Sequence, residues 1–228
     1  MHAGKFRHEW KHTVSFSELS ALRPRLKAVM QPDRNTDETG RYFIRSLYFD
    51  NFQNKVLREK QDGLMQREKF RLRFYNQNPA FIRLEKKEKV NGLCRKQSAV
   101  ITQAECEQLL HGHTDWMRQS GRPLLTELYA KMRFQCLRPR TIVDYIREAY
   151  VFPVGNVRVT LDSAIRTGNY ATEFFNFSLP TLPTAPPGYA ILEIKYDEFL
   201  PRIIADIVQT GSRPAAAFSK YVACRMYG

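Results

Sequence analysis

The 228-residue sequence lacks any long apolar run; none approaches the roughly 18 residues a membrane-spanning helix needs. Its start, MHAGKFRHEWKH, has no apolar segment of the signal-peptide kind. Cysteine is scarce. Cys94, Cys106, Cys136 and Cys224 form no C-x-x-C pair, and a chain of this size needs no disulfide staples, so the thiols read as incidental. The histidines (His2, His8, His12, His111, His113) have no H-E-x-x-H or similar metal spacing, and His111-Gly112-His113 reads as a polar turn that ends a helix. G-x-x-x-x-G-K-[ST] and G-x-S-x-G are both missing, which removes support for P-loop and serine-hydrolase chemistry. Negative charge is also short: 23 Asp and Glu stand against 36 Lys and Arg, a net of +13. Hydrophobic residues at 43% and aromatics at 12% exclude a disordered basic tail. The expectation is a single folded domain over residues 1–228, soluble and cytoplasmic, with an anionic partner.

The positive charge is concentrated. Gln66 to Lys96 holds ten Lys or Arg against three Glu, a net of +7 in 31 residues. Apolar residues alternate with these charges, which is the two-residue period of a strand. Arg67, Lys69, Arg71 and Arg73 fall on one face, with Phe70, Leu72 and Phe74 on the other. Arg83, Glu85, Lys87 and Lys89 likewise oppose Ile82, Leu84 and Val90. Asn91-Gly92 predicts a hairpin, since both residues tolerate positive φ, and Lys96 and Ser98 share a face on the returning strand.

The pattern recurs along the chain. Arg7, Glu9 and Lys11 alternate with Phe6, His8, Trp10 and His12. Tyr145 and Arg147 share a face in the strand from Arg140 to Val151. Arg158, Thr160 and Asp162 oppose Val157, Val159 and Leu161, and Glu193, Lys195 and Asp197 oppose Leu192, Ile194 and Tyr196. With the apolar-rich Tyr42 to Asp50, this predicts about eight strands.

Helix signals fall between them. Ser15-x-x-Glu18 and Thr102-x-x-Glu105 are capping boxes, and Pro24 is expected to kink or shorten the first helix. Further helices are predicted over Pro123–Arg133, Pro201–Val208 and Ala215–Arg225. Asn169 to Gly188 holds four prolines and reads as a long surface loop. There is no internal repeat.

Two architectures accommodate such strands. An open sheet or sandwich turns its charged faces to water. A closed barrel turns them inward, where like charges repel unless a polyanion or metal compensates them. Alternation alone does not say which face is inside.

The ordered motifs R-H-E-W-K (Arg7–Lys11), Y-F-I-R-S-L-Y-F-D (Tyr42–Asp50), K-F-R-L-R-F-Y (Lys69–Tyr75), R-L-E-K-K (Arg83–Lys87), G-L-C-R-K (Gly92–Lys96), L-E-I-K-Y (Leu192–Tyr196) and S-K-Y (Ser219–Tyr221) span nearly the whole chain. Together they resemble the catalytic VTC (vacuolar transporter chaperone) domain in a stand-alone bacterial form. The resemblance implies an α+β triphosphate tunnel metalloenzyme fold, a closed eight-stranded antiparallel β-barrel with flanking helices, shared with RNA and thiamine triphosphatases. It implies a polyphosphate polymerase that moves the γ-phosphate of ATP onto a growing polyphosphate chain.

Carried over residue by residue, the resemblance places catalytic, phosphate-holding cations at Lys11, Arg71, Arg73, Lys87, Lys96, Arg147, Arg158 and Lys220. It makes Arg71, Arg73, Tyr145 and Ser219 cofactor-binding, Tyr145 and Ser219 as auxiliary phosphate contacts, and Glu193 the ligand of Mn²⁺ or Mg²⁺. Lys220 is expected near the tunnel mouth, and Glu9 and Glu85 are expected to pair with neighbouring cations rather than bind metal. The eukaryotic relatives carry a phosphate-sensing domain and membrane helices that this sequence does not, so threading a product across a membrane would need a membrane-protein partner. A metal-dependent triphosphatase and a non-catalytic polyphosphate- or nucleic-acid-binding module stand as alternatives. Nucleic acid is disfavoured, because the aromatic residues alternate with the arginines instead of sharing their face.

Overall fold

The alternating segments assemble into one antiparallel sheet. The computed structural model describes residues 5–209 and 218–226. The elements run β1 (His8–Val14), α1 (Phe16–Val29), β2 (Gln31–Pro32), β3 (Arg41–Asp50), α2 (Lys55–Gln61), β4 (Gln66–Tyr75) and β5 (Asn78–Val90). They continue with β6 (Leu93–Ile101), α3 (Gln103–Leu110), a 3₁₀ turn, α4 (Pro123–Phe134), β7 (Arg138–Phe152) and β8 (Val157–Thr167). The last are β9 (Leu182–Pro183), β10 (Ala190–Tyr196), α5 (Arg202–Val208) and α6 (Lys220–Arg225). Among the described residues no helix is long and apolar enough to cross a membrane.

Strand order is β1-β10-β8-β7-β3-β4-β5-β6, with β2 added on β7 and β9 on β8. The sheet therefore has ten strands, where eight were expected; the two extra are two-residue strands. It is also not closed by a ladder, contrary to the closed barrel the resemblance implies. The edges β1 and β6 meet at one isolated bridge, Arg7 with Cys94, through N–O contacts of 2.9 and 3.0 Å. Continuing that register one way sets Glu9 against Gly92, inside the hairpin turn. The other way it opposes Lys5 to Lys96, two like charges. The seam has nowhere to extend.

The sheet nevertheless curls until its charged face meets itself. Lys87 on β5 forms an ion pair with Glu9 on β1, six strands away along the sheet path. In a flat sheet those strands would lie about 29 Å apart at the usual ~4.8 Å spacing.

Apolar faces pack outward in two layers. Phe70, Leu72, Phe74 and Leu84 meet Cys106 and Leu109 of α3 and Leu125 and Leu128 of α4. Val159, Leu161, Leu192 and Ile194 meet Leu19, Leu22 and Leu26 of α1 and Ile204 of α5. A third apolar cluster lies among the inner faces. Ile44, Val143 and Ile191 share strand faces with Tyr48, Tyr145 and Glu193, yet they pack on Tyr221 and Cys224 of α6. That helix closes part of the interior and carries Lys220 into it.

Both capping boxes form, at Ser15 and Thr102. The first helix runs through Pro24 to Val29 rather than stopping there. Asn91 and Gly92 take φ of 48° and 87°, the backbone a two-residue hairpin demands. The Asn169–Gly188 segment is not a free surface loop. Phe174 is buried with its ring 4.7 Å from that of Phe74, and Asn176 accepts a 2.6 Å hydrogen bond from Arg45. The helix predicted from Ala215 begins at Lys220; Ala215 to Ala217 lie outside the described residues.

Candidate functional site

Three buried carboxylate centres organise the inner face. On β4, Arg71 donates to Glu85 Oε2 and to Tyr48 Oη, each at 2.8 Å. Arg73 donates to Ser46 Oγ at 2.9 Å and Tyr145 Oη at 2.8 Å. Lys96 reaches Glu85 Oε1 at 2.9 Å. Burial alone would raise the Glu85 carboxyl, but Arg71, Arg73 and Lys96 hold it well below the usual carboxylate range.

Glu9 and Glu193 form the second centre across the β1–β10 pair. Lys11 Nζ lies 3.0 Å from Glu9 and 3.5 Å from Glu193, and Lys195 Nζ lies 2.7 Å from Glu193 and 3.6 Å from Glu9. Lys87 adds a third ammonium on Glu9. Glu9 and Glu85 are thus both paired with cations. Burial opposes ionisation of Glu193, and Lys195, Lys11 and Lys87 overcome it, so its carboxyl also sits well below its ordinary range.

Asp162 is the third centre. Arg147 grips it through two hydrogen bonds of 2.6 and 2.7 Å, and Lys220 pairs with it from α6. Lys220 is therefore buried, drawn in by the apolar anchoring of α6. Tyr145 joins the clusters, with Arg73, Arg147 and Lys220 placed 5.8, 5.4 and 4.8 Å from its ring centre. Ser219 caps α6 and lies 3.4 Å from Lys69 Nζ. The residues implied by the resemblance converge here except Arg158, which pairs with Asp33 and donates to Tyr42 Oη at 2.9 Å.

Counting Lys11, Lys69, Arg71, Arg73, Lys87, Lys96, Arg147, Lys195 and Lys220 against Glu9, Glu85, Asp162 and Glu193, nine cations face four carboxylates. With Lys69 depressed to about 7, the excess near neutral pH lies between four and five positive charges, the size of charge a triphosphate carries. A cavity of about 600 Å³ opens beside Lys11, Lys69, Lys87 and Ser219.

Reading the sequence missed Lys69 as a site residue, although it alternates in step with Arg71 and Arg73. Among the described residues it has no carboxylate partner; its ammonium lies 5.4 Å from the Tyr48 ring centre. Burial depresses it to about 7, with Lys87, Lys11 and Arg71 adding to the effect against the opposing Tyr48. Below that value the folded protein carries the whole penalty of a buried cation. Between it and the ordinary 10.5, the unfolded chain binds the extra proton, so stability rises with pH. Lys69→Met is expected to raise the melting temperature at pH 6 and flatten that rise. Equal melting curves at pH 6 would show that the ammonium is not strained.

The donor set limits any metal. Among the described residues no group of three His, Cys, Asp or Glu is placed to hold one. Glu193 and Glu9, the oxygen donors nearest to such a site, are joined through shared lysines.

An antiparallel sheet thus curls round a cationic interior, with helices outside. The chain belongs to the VTC domain family, whose model matches residues 6–227. Solved structures similar in fold include a candidate adenylate cyclase from Bacillus halodurans, at 14% identity and a TM-score of 0.51, covering 94% of both chains. A protein from Pyrococcus horikoshii matches at 14% identity and 0.50, covering 96% of this chain and 99% of its own. A conserved hypothetical protein from Pyrococcus furiosus matches at 10% and 0.50, covering 93% and 96%. No curated protein matches the sequence.

Proposed function

We propose that the protein is a metal-dependent polyphosphate polymerase that transfers the γ-phosphoryl group of ATP to the end of a polyphosphate chain. The observation that carries the reading is the nine-to-four excess of cations on the inner face of a chain that belongs to the VTC family. Phosphoryl transfer asks little covalent work of a protein; it asks for positioning and compensation of charge. Arg71 and Arg73 present planar guanidinium forks suited to phosphate oxygens, and Lys11, Lys87, Lys96 and Lys220 supply compact charge. Tyr145 and Ser219 orient these cations, and Arg158 stays with Asp33 and Tyr42 outside the cluster. Glu193, with Glu9, would hold Mn²⁺ or Mg²⁺, which would screen the phosphate charges when bound. ATP as donor fits a cytoplasmic setting.

Incubation with ATP and Mn²⁺ should give polyphosphate that runs as a ladder on a gel. Free phosphate alone would assign a triphosphatase, and cyclic AMP would assign the activity named for the Bacillus halodurans relative. No product, with tight binding of tripolyphosphate, would leave a binding module.

A further inference from the structure

Two arginines have no place in the clusters described above. They meet where α6 ends, because three segments are tied together there. Thr141, near the start of β7, donates to the Asn169 carbonyl. Thr167, at the end of β8, accepts from the Asn169 amide at 2.9 Å and donates to the Cys224 carbonyl of α6 at 3.0 Å. The adjoining residues in sequence, Arg140, Tyr170 and Arg225, therefore converge. The guanidinium carbons of Arg140 and Arg225 lie 4.8 and 4.6 Å from the centre of the Tyr170 ring. None of the three lines the cavity beside Lys11 and Lys69.

The fold does not answer these charges. Arg225 is only 4% exposed, yet its one hydrogen bond runs from Nη2 to Asn54 Oδ1 at 3.0 Å. Its Nε and Nη1 are buried without a partner, and so is Nε of Arg140. Among the described residues neither arginine has an ion pair. The Tyr221 hydroxyl lies in the field of both arginines and of Asp50. Asp50 is already committed, accepting from Tyr221 Oη at 2.6 Å and from the backbone N–H groups of Asn51, Val56 and Leu57. The Tyr170 face offsets part of the charge, but it leaves unanswered the N–H fork that lies in each guanidinium plane. Buried donors of this kind normally have partners, so these call for one.

The place is open to solvent on one side, since Tyr170 is 48% exposed and Arg140 is half-buried. Two monocations with free forks match two negative charges spread over several acceptor oxygens, which a carboxylate does not carry.

We propose that Arg140 and Arg225, held against Tyr170, form a second anion site that takes a phosphate dianion, either inorganic phosphate or a phosphate monoester. Arg225 and Lys220 stand on the same short helix, so an anion bound at the outer end of α6 also steadies the residue that answers Asp162 inside.

The test adds inorganic phosphate to protein already saturated with tripolyphosphate, at mildly alkaline pH where the dianion prevails, with chloride holding ionic strength constant. The wild-type melting temperature should rise again as phosphate binds the folded state. Arg140→Gln with Arg225→Gln should lose that second rise and keep the rise that tripolyphosphate gives. Arg140 makes no hydrogen bond among the described residues, so Arg140→Gln alone should fold normally, and it should weaken phosphate binding roughly tenfold. Glycerol 3-phosphate titrated in parallel distinguishes the two sources: a tighter fit than inorganic phosphate identifies a monoester, a weaker one the free ion. Acetate should give no second rise. The site is overturned if the wild type shows no second rise, if the rise persists in both variants, or if acetate matches phosphate.

Discussion

Glu193→Gln is expected to lower metal-dependent turnover roughly a hundredfold to a thousandfold, the usual effect of deleting one preorganised charge from a phosphoryl-transfer site. The substitution keeps shape and volume and removes one negative charge. Lys11 and Lys195 keep Glu9 as a partner, at 3.0 and 3.6 Å, so the local framework has a second anchor. Metal-free affinity for tripolyphosphate should then rise, because the interior becomes more positive. The two effects move in opposite directions, and misfolding cannot produce that signature. The acid limb of stability changes too. The folded carboxyl sits below its ordinary value of 4.5, so its contribution is present above that pH and lost as pH falls. Gln at this position should remove that part of the acid sensitivity. Unchanged turnover would identify Glu9 as the working carboxylate instead.

Much of this site was legible in the sequence because strand alternation is a strict geometric rule. Arg71 and Arg73 had to share a face, as did Glu193 and Lys195, and Asn91-Gly92 had to turn the hairpin between the β5 and β6 charges. Alternation carries no sign for inside and outside. That assignment came from the family motifs, and the ion pair of Lys87 with Glu9 supports it in three dimensions. The closed ladder failed for a local reason, since the hairpin turn and two opposed lysines stop the β1–β6 seam from growing. The burial of Lys220 was not legible in strand alternation. The inward set of Ile44, Val143 and Ile191 binds α6, and a helix held that way carries its first residue inside. α2 went unseen because its N-cap, Asn54, is left-handed with no side-chain cap bond, and only Val56 is buried. Lys60 therefore arrives at the cavity with no sequence signal. The Asn169–Gly188 segment looked like a loop by its prolines, and its anchorage through Phe174 and Asn176 depends on contacts with distant strands.

The largest stability effect should come from Asp162→Asn. Asp162 is fully buried and answers two buried cations, Arg147 by a two-bond grip and Lys220 from α6. Arg147 and Lys220 pull its carboxyl down against the burial that would raise it, so it is charged in the folded protein and its contribution is lost as pH falls. Removing one partner of a buried pair strands the others and costs about 3–5 kcal/mol. In a protein of this length that corresponds to a melting temperature lowered by roughly 6–20 °C. Two controls separate charge from packing. Adding Lys220→Met removes one stranded cation, so the double variant should melt above Asp162→Asn alone, a non-additivity expected only of residues in one network. Tripolyphosphate should stabilise Asp162→Asn more than the wild type, because the phosphate takes over the role of the missing carboxylate. If neither control raises the melting temperature, the loss comes from packing, and Asp162 does not hold the interior cations in readiness for an anion.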